Sequence, residues 1–181
     1  SKTDIENTPR VKRLNIINSI SGIKPGNLIG TKSNDGYTNL AIFSSVVHIG
    51  SNPAYLGFIQ RPVNEVRRHT YENIIENGFF TINHIHDDFM DKAHFTSLKL
   101  EKEKSEFLES GLSEEYLYSF FAPFVKESHL KIGLKYVEQV PIKSNNTILV
   151  VGEVQHLIVP DHVIDPRGYI DLGKLGDVGI S

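Results

Sequence analysis

Hydroxyl and guanidinium groups gather in the stretch of the sequence that runs from Asn39 to Asn73. Ser44 and Ser45 stand side by side in a run of apolar and small residues, and three arginines follow them, at positions Arg61, Arg67 and Arg68. A hydroxyl can donate a hydrogen bond to an oxyanion, and a guanidinium can hold two oxygens of a phosphate at once. The stretch therefore predicts an anion site of the kind that holds a phosphorylated cofactor.

Two strands and one helix are predicted to position these side chains. The runs 39–49 and 55–59 are short and rich in apolar, branched and aromatic residues, as strands are, and turn residues separate them. Thr70 is a good N-cap for a helix over residues 70–77, which Gly78 ends. The start of a helix offers unpaired N–H groups and the positive end of its dipole, so it would add to the anion site.

Each of these features also has a purely structural explanation. Serines in strands commonly face solvent or satisfy backbone groups, a threonine at a helix start caps that helix, and arginines before a helix are commonly solvated. A barrel without any cofactor therefore stays open as an alternative on the residues alone.

The sequence resembles the flavin reductase-like family, which includes the flavoredoxins and folds as an FMN-binding split β-barrel. The matching segments are N-x-x-x-x-S-S (Asn39, Ser44, Ser45), HIGSNPAYLGFI (residues 48–59), HTYENIIENGFFTIN (residues 69–83) and Gly152-Glu153-Val154. They follow one another in the order that the family has, and the resemblance runs from about Leu28 to Gly176.

The resemblance implies which residues bind the cofactor. Asn39 would contact the flavin ring, and the backbone N–H groups of Ala41, Ile42 and Phe43 would face its N1, O2 and N5 edge. The ribityl and phosphate oxygens would be held by Ser44, Ser45, Arg61 and Thr70, with help from Arg67 or Arg68. FMN is expected rather than FAD, because the site needs only one phosphate.

Two positions depart from the pattern of the family. His69 stands where the family often has an aspartate, which leaves the site more positive and suits a phosphate. Asn146 stands in a turn where many flavin reductases carry a histidine, so NADH reductase activity does not carry over directly.

The resemblance implies an oxidoreductase that works as a homodimer. Its FMN would pass electrons from NAD(P)H or a protein donor to a flavin or protein acceptor. Because a flavin carries this chemistry itself, no side chain is assigned as a catalytic residue. The alternative is a non-catalytic flavin-binding protein or a flavoredoxin-like electron carrier.

The whole chain, residues 1–181, is predicted to be a single, mostly β domain. Asn34-Asp35-Gly36 predicts a tight hairpin turn, and the strands 27–33, 37–44, 46–50 and 54–60 are expected to form an antiparallel meander. A strand over 79–85 and a hairpin of 130–140 with 147–159 follow. We expect an antiparallel split barrel of about six strands with Greek-key connections and a helical insert.

Three segments lie outside this pattern. Residues 1–24 are expected to lead into the domain as a short helix or strand, and the glycine-rich tail from Asp161 is expected to be a loop. The charged segment 87–117 predicts short helices, which are either a solvated excursion or a lid or dimer contact over the cofactor.

The eight histidines raise the question of a metal site. His84 and His86 would place two rings on one face of a strand, but zinc sites need three or four converging ligands and Asp87 and Asp88 follow the strand end. No metal ligand is therefore assigned.

Composition excludes several classes of protein. The formal net charge of −3 gives no basic footprint for nucleic acid. The chain has no cysteine, which excludes disulfides and thiolate sites and fits a reducing cytoplasm. No apolar run approaches the ~18 residues of a membrane span, so neither nucleic acid nor a membrane is an expected partner.

Overall fold

The computed structural model describes residues 1–63, 67–98 and 100–180. Its helices are α1 (Lys2–Asn7), α2 (Arg10–Ile20), α3 (His69–Asn77), α4 (Met90–Phe95), α5 (Glu106–Ser110) and α6 (Leu172–Leu175). Its strands are β1 (Lys24–Pro25), β2 (Asn27–Lys32), β3 (Thr38–Phe43), β4 (Val47–Ser51), β5 (Ala54–Gln60), β6 (Phe79–His84), β7 (Glu114–Glu115), β8 (Phe124–Val125), β9 (Lys131–Ile142), β10 (Thr147–Ile158) and β11 (Gly179–Ile180). Short 3-10 helices span Asp87–Phe89 and Asp161–Val163.

Seven of the strands form one antiparallel sheet, in the order β3-β2-β6-β9-β10-β5-β4. The prediction of a mostly β, antiparallel fold is confirmed, with one strand more than the expected six. The predicted four-stranded meander is wrong, because β3 and β4 lie at opposite edges of the sheet although they follow each other in the chain. Hairpins join β2 to β3 and β4 to β5, and the turn at Gly36 has the expected positive φ of 94°.

The sheet curls into a barrel around one apolar cluster. That cluster draws its buried side chains from five strands and includes Ile29, Phe58, Phe80, Ile82, Leu134 and Val150. Edge strand β3 approaches β5, the neighbour of the other edge strand, and the ring centroids of Phe43 and Phe58 are 4.9 Å apart. Beyond β3, the Ser45 hydroxyl accepts a hydrogen bond from the N–H of Ile59 at 3.1 Å and donates one to its carbonyl at 3.3 Å. The end of β3 thus rests on β5 and closes the barrel.

Helix α3 covers one end of the barrel. Ile74 is fully buried in the inner cluster, and the Asn73 amide donates a hydrogen bond of 3.1 Å to the Thr31 hydroxyl. Gly78 ends the helix with φ 82°, as predicted. The prediction that Thr70 is the N-cap is wrong: the helix begins at His69, Arg68 is the N-cap, and Thr70 lies in the first turn.

The C-terminal segment packs on the opposite end of the barrel, where β6 finishes at His84 and β2 begins at Asn27. Val163 and Leu175 from this segment are buried in the inner cluster. The expected loop therefore contains a 3-10 helix and α6, because its few apolar residues have a core to pack against.

The outer face of the sheet is covered by residues of the charged segment. Phe89 and Phe107 pack with Leu28 and Leu40 in a second buried cluster. The prediction of short helices in this segment is confirmed, while its role as a lid or dimer contact stays a prediction. The aromatic run 120–124, for which the sequence gives no placement, forms a third cluster against Phe79.

The N-terminal segment forms the helices α1 and α2, in which no residue is buried. Across the described ranges, no helix has both the length and the apolar character needed to cross a membrane.

Candidate cofactor-binding site

Asn39 and Thr70, which the sequence assigns to one site, are in direct contact. The Asn39 amide donates a hydrogen bond of 2.8 Å to the Thr70 hydroxyl, and both side chains are buried. This contact ties β3 to the first turn of α3. It also explains why Thr70 does not cap its own helix, since its hydroxyl is engaged by the neighbouring strand.

The start of α3 carries an arginine whose hydrogen-bonding capacity is not fully used. Arg68 occupies the N-cap position, and no side chain caps the first turn. The Arg68 Nε is buried and has no hydrogen-bond partner among the residues that the structure describes. A buried guanidinium N–H without an acceptor is costly, and the helix start adds unpaired N–H groups and a positive dipole end. Arg68 and the start of α3 together therefore fit the binding of an anion.

Arg67 is engaged elsewhere. Its Nε and one of its terminal nitrogens donate to the two carboxylate oxygens of Glu72 at 3.0 and 2.7 Å, in an exposed pair. This hydrogen bonding raises the pKa of Arg67 and lowers the pKa of Glu72. The sequence analysis names Arg67 or Arg68 as a helper at the phosphate, and of the two only Arg68 has a buried Nε without a partner among the described residues.

The two serines lie at the seam of the barrel rather than at the start of α3. Ser45 uses its hydroxyl to bridge the backbone of Ile59, so it holds β3 against β5. The half-buried Ser44 hydroxyl makes no hydrogen bond within the described residues. Arg61 follows two residues after Ile59 and is exposed. Roles for Ser44, Ser45 and Arg61 in binding a cofactor stay predictions.

The backbone of β3 offers fewer free N–H groups than expected. The N–H of Leu40 points away from β2 and donates to a carboxylate oxygen of Glu106 at 3.0 Å. Hydrogen-bonding directions alternate along an antiparallel strand, so the N–H of Ile42 points off the same free edge. The N–H groups of Ala41 and Phe43 instead point toward β2. Of the three predicted ring contacts, Ile42 is therefore the one with an N–H to offer.

Glu106 is a residue of this region that sequence reasoning missed. It is only 5% exposed, and it lies in α5 beside the edge of β3. Burial raises the pKa of its carboxyl, against the opposing effect of the hydrogen bond from Leu40. Its sequence context is a run of charged residues, in which nothing distinguishes a buried glutamate from exposed ones.

The histidines are held by separate partners. His84 Nδ1 lies 2.6 Å from Asp177 Oδ2, whereas the His86 ring stacks on that of His129 at 4.2 Å. His86 Nδ1 comes within 3.7 Å of carboxylate oxygens of Asp87 and Asp88, but it also accepts the N–H of Asp88 at 3.4 Å. His86, Asp87 and Asp88 lie together because His86 caps the 3-10 helix Asp87–Phe89. His84 is not part of this group.

Comparison with known proteins places the chain in a family. The model of the family described as flavin reductase like domain matches residues 23–174. A crystal structure of a split-barrel protein from Shewanella frigidimarina NCIMB 400, proposed to be a flavin reductase, is 45% identical, covering 100% of this chain and 89% of that one with a TM-score of 0.96. An uncharacterised protein of Halalkalibacterium halodurans is 25% identical over 150 residues, which are 80% of this chain and 72% of that protein.

More distant structures share the fold. Nitrilotriacetate monooxygenase component B from Bacillus cereus is 18% identical, with a TM-score of 0.85 over 96% of this chain and 88% of that one. Flavoredoxin of Desulfovibrio vulgaris (Miyazaki F) is 22% identical, with a TM-score of 0.75 over 88% of this chain and 82% of that one. The family model covers most of the chain, and the barrel built above is the split barrel of these structures: the protein belongs to the flavin reductase-like domain family.

Proposed function

We propose that this protein is an FMN-dependent oxidoreductase that takes electrons from NAD(P)H and passes them to a flavin or protein acceptor. The observation that carries the proposal is the buried, unpartnered Nε of Arg68 at the uncapped start of α3. One anion site of this kind suits the single phosphate of FMN. A flavin supplies the hydride and electron chemistry when it is bound.

The residues of this chain would bind and orient the cofactor. Arg68 and the first-turn N–H groups of α3 would hold the phosphate, and the Asn39–Thr70 contact would keep α3 and β3 at a fixed distance. The outward N–H of Ile42 would donate to a carbonyl or ring nitrogen of the flavin. Ser45 would act on the cofactor indirectly, since it closes the barrel at Ile59.

The names of relatives support an electron-transfer role. The styrene monooxygenase flavin reductase from Pseudomonas putida S12 shares the fold at 10% identity and a TM-score of 0.64. The FMN-binding protein from Thermus thermophilus shares it at 13% identity and a TM-score of 0.68. A flavoredoxin-like electron carrier is the second candidate, because Asn146 occupies the turn between β9 and β10 where many flavin reductases have a histidine.

A reconstitution experiment tests the proposal. The purified protein is incubated with FMN or with FAD, desalted, and examined by absorption spectroscopy, and then NADH or NADPH oxidation is followed with added free flavin. We expect retained FMN and steady oxidation of one of the two nucleotides. Retained FMN without nucleotide oxidation would identify the electron carrier instead, and a protein that neither retains flavin nor turns over would refute both.

We also propose that the protein is a homodimer. Four large apolar side chains of helix α2 are between 42% and 73% exposed, namely Val11, Leu14, Ile17 and Ile20. So many exposed apolar side chains on one short helix are unusual. Light scattering behind a sizing column gives the mass directly. A mass near the 20.4 kDa of the single chain would refute the dimer.

A further inference from the structure

We infer that the barrel has a second binding site at the end opposite α3, for a small, mostly apolar molecule that carries a hydroxyl or N–H donor, such as a phenol. An open cavity of about 590 Å³ lies at this end. Small-molecule sites generally occupy ~300–1,000 Å³, so the cavity has room for a ligand of one or two rings. The inference goes beyond the proposed flavin chemistry and does not depend on it.

Two polar side chains point into this end of the barrel. Side chains alternate between the two faces of a strand, so Asn27 faces the interior with Ile29, and His84 faces it with Ile82. Asn27 and His84 are also direct partners in the register of β2 and β6. Directly opposed residues carry their side chains on the same face, within reach of a common ligand.

Asn27 has an unused acceptor. Its side chain is fully buried, and its Nδ2 donates to the Pro25 carbonyl at 3.2 Å. Its Oδ1 has no hydrogen-bond partner among the residues that the structure describes. An acceptor buried in this way is costly unless something donates to it, and a ligand in the adjoining cavity can do so.

His84 supplies a second acceptor. Its Nδ1 lies 2.6 Å from Asp177 Oδ2, and both side chains are largely buried. In the neutral ring the carboxylate favours the proton on Nδ1, so Nε2 is the nitrogen left to accept a hydrogen bond. Asn27 Oδ1 and, in the neutral ring, His84 Nε2 are both acceptors, so they favour a ligand that carries a donor group.

Apart from His48 and the hydroxyl of Tyr169, the remaining walls are mostly apolar. Val46, Leu56, Ile132, Leu157 and Ile170 line the cavity. Their burial against a ring would supply most of the binding free energy, while Asn27 and His84 would orient the donor. This ligand would therefore bind at the end of the barrel that lies away from α3 and Arg68.

Two matched probes test the donor requirement. 2-Naphthol carries a hydroxyl donor, whereas 2-methoxynaphthalene has a similar shape without one. Each is titrated calorimetrically into protein saturated with FMN, so that the cofactor site is already filled. We expect 2-naphthol to bind about tenfold more tightly than its ether, the worth of one hydrogen bond. Equal affinities, or no binding of either probe, would overturn the inference.

Three variants locate the site. His84→Phe keeps a ring but removes one of the two acceptors, so it should reduce the tenfold preference. Leu172→Trp, at a half-exposed position on the rim, should block both probes, and Leu98→Trp, at a similarly exposed position elsewhere, should not. FMN retention and the melting temperature show that each variant is folded. Unchanged binding to a folded Leu172→Trp protein would place the probes elsewhere and refute the assignment.

Discussion

The side-chain amide of Asn39 and the hydroxyl of Thr70 form a buried hydrogen bond of 2.8 Å. Asn39 lies on the edge strand β3, and Thr70 lies in the first turn of the helix that covers one end of the barrel. The bond therefore fixes the helix start beside the strand that the sequence predicts to contact the flavin. Loss of this one contact should affect both stability and cofactor binding.

Replacement of Thr70 by valine tests this coupling. Thr70→Val keeps the shape of the side chain but leaves the buried Asn39 amide without its acceptor, so the free energy of unfolding should fall by about 1–3 kcal/mol. Urea unfolding measures that loss, and an FMN titration should show weaker binding. Thr3→Val, at an exposed position of α1, should change neither quantity. Equal stability of the two variants would show that the contact contributes nothing.

The adjacent arginines should differ in their effect on FMN affinity. Arg68→Gln removes the half-buried guanidinium, whose Nε is buried, at the helix start. A charge-assisted hydrogen bond is worth about 1.5–3 kcal/mol, so FMN should bind ~10–150-fold more weakly. Arg67→Gln removes only an exposed pair with Glu72, which solvent screens, so it should weaken FMN binding only slightly.

Riboflavin provides the control for the arginine variants, because it lacks the phosphate. Its affinity, measured by quenching of flavin fluorescence, should be nearly the same in the wild type and in both variants. A larger loss of FMN affinity in Arg67→Gln than in Arg68→Gln would reverse the assignment. An equal loss of riboflavin affinity would mean that Arg68 supports the fold rather than the phosphate.

Gly152 should not tolerate a side chain. A Cβ at this position would lie 2.5 Å from the ring of Phe80, which is fully buried in the inner cluster. Gly152→Ala must displace that ring, and overpacking of this kind costs about 1–3 kcal/mol. Gly173→Ala in α6, where the nearest atom is 3.3 Å away on the side chain of Asp171, is the matched control. Thermal unfolding should show a lower melting temperature for Gly152→Ala alone.

Glu106 should make stability depend on pH in a defined direction. Burial raises the pKa of Glu106 above its ordinary value of 4.5, so the folded state binds its proton more tightly than the unfolded state does. The stability that this proton contributes is fully present below the ordinary pKa of the unfolded state. It is lost as the pH rises through the raised pKa of the folded state.

Glu106→Gln removes that titration and keeps a carbonyl oxygen for the N–H of Leu40. The stability of the wild type relative to Glu106→Gln should therefore decline as the pH rises from about 4 to neutrality, as urea unfolding at a series of pH values can show. The difference in stability between the wild type and Glu109→Gln, a variant on the exposed side of α5, should depend much less on pH. A difference for Glu106→Gln that does not change with pH would contradict the role of burial.

The local features of the sequence were sufficient to identify most elements of the fold. The Asn34–Gly36 turn, the end of α3 at Gly78 and the hairpin of β9 with β10 depend on backbone preferences and on the alternation of apolar residues, which act over a few positions. The resemblance to the family came from segments of the same kind, and it is confirmed by the match over residues 23–174.

Contacts between residues far apart in the sequence determined the remaining features of the fold and the site. Strands β3 and β4 lie at opposite edges of the sheet because the barrel closes where Ser45 contacts Ile59. No local sequence pattern encodes which strands come together there. Thr70 has the side chain of an N-cap, but the structure uses its hydroxyl for Asn39, because a buried amide must find an acceptor. The sequence also does not distinguish the two adjacent arginines, of which Arg67 pairs with Glu72 and Arg68 keeps a buried Nε without a partner among the described residues.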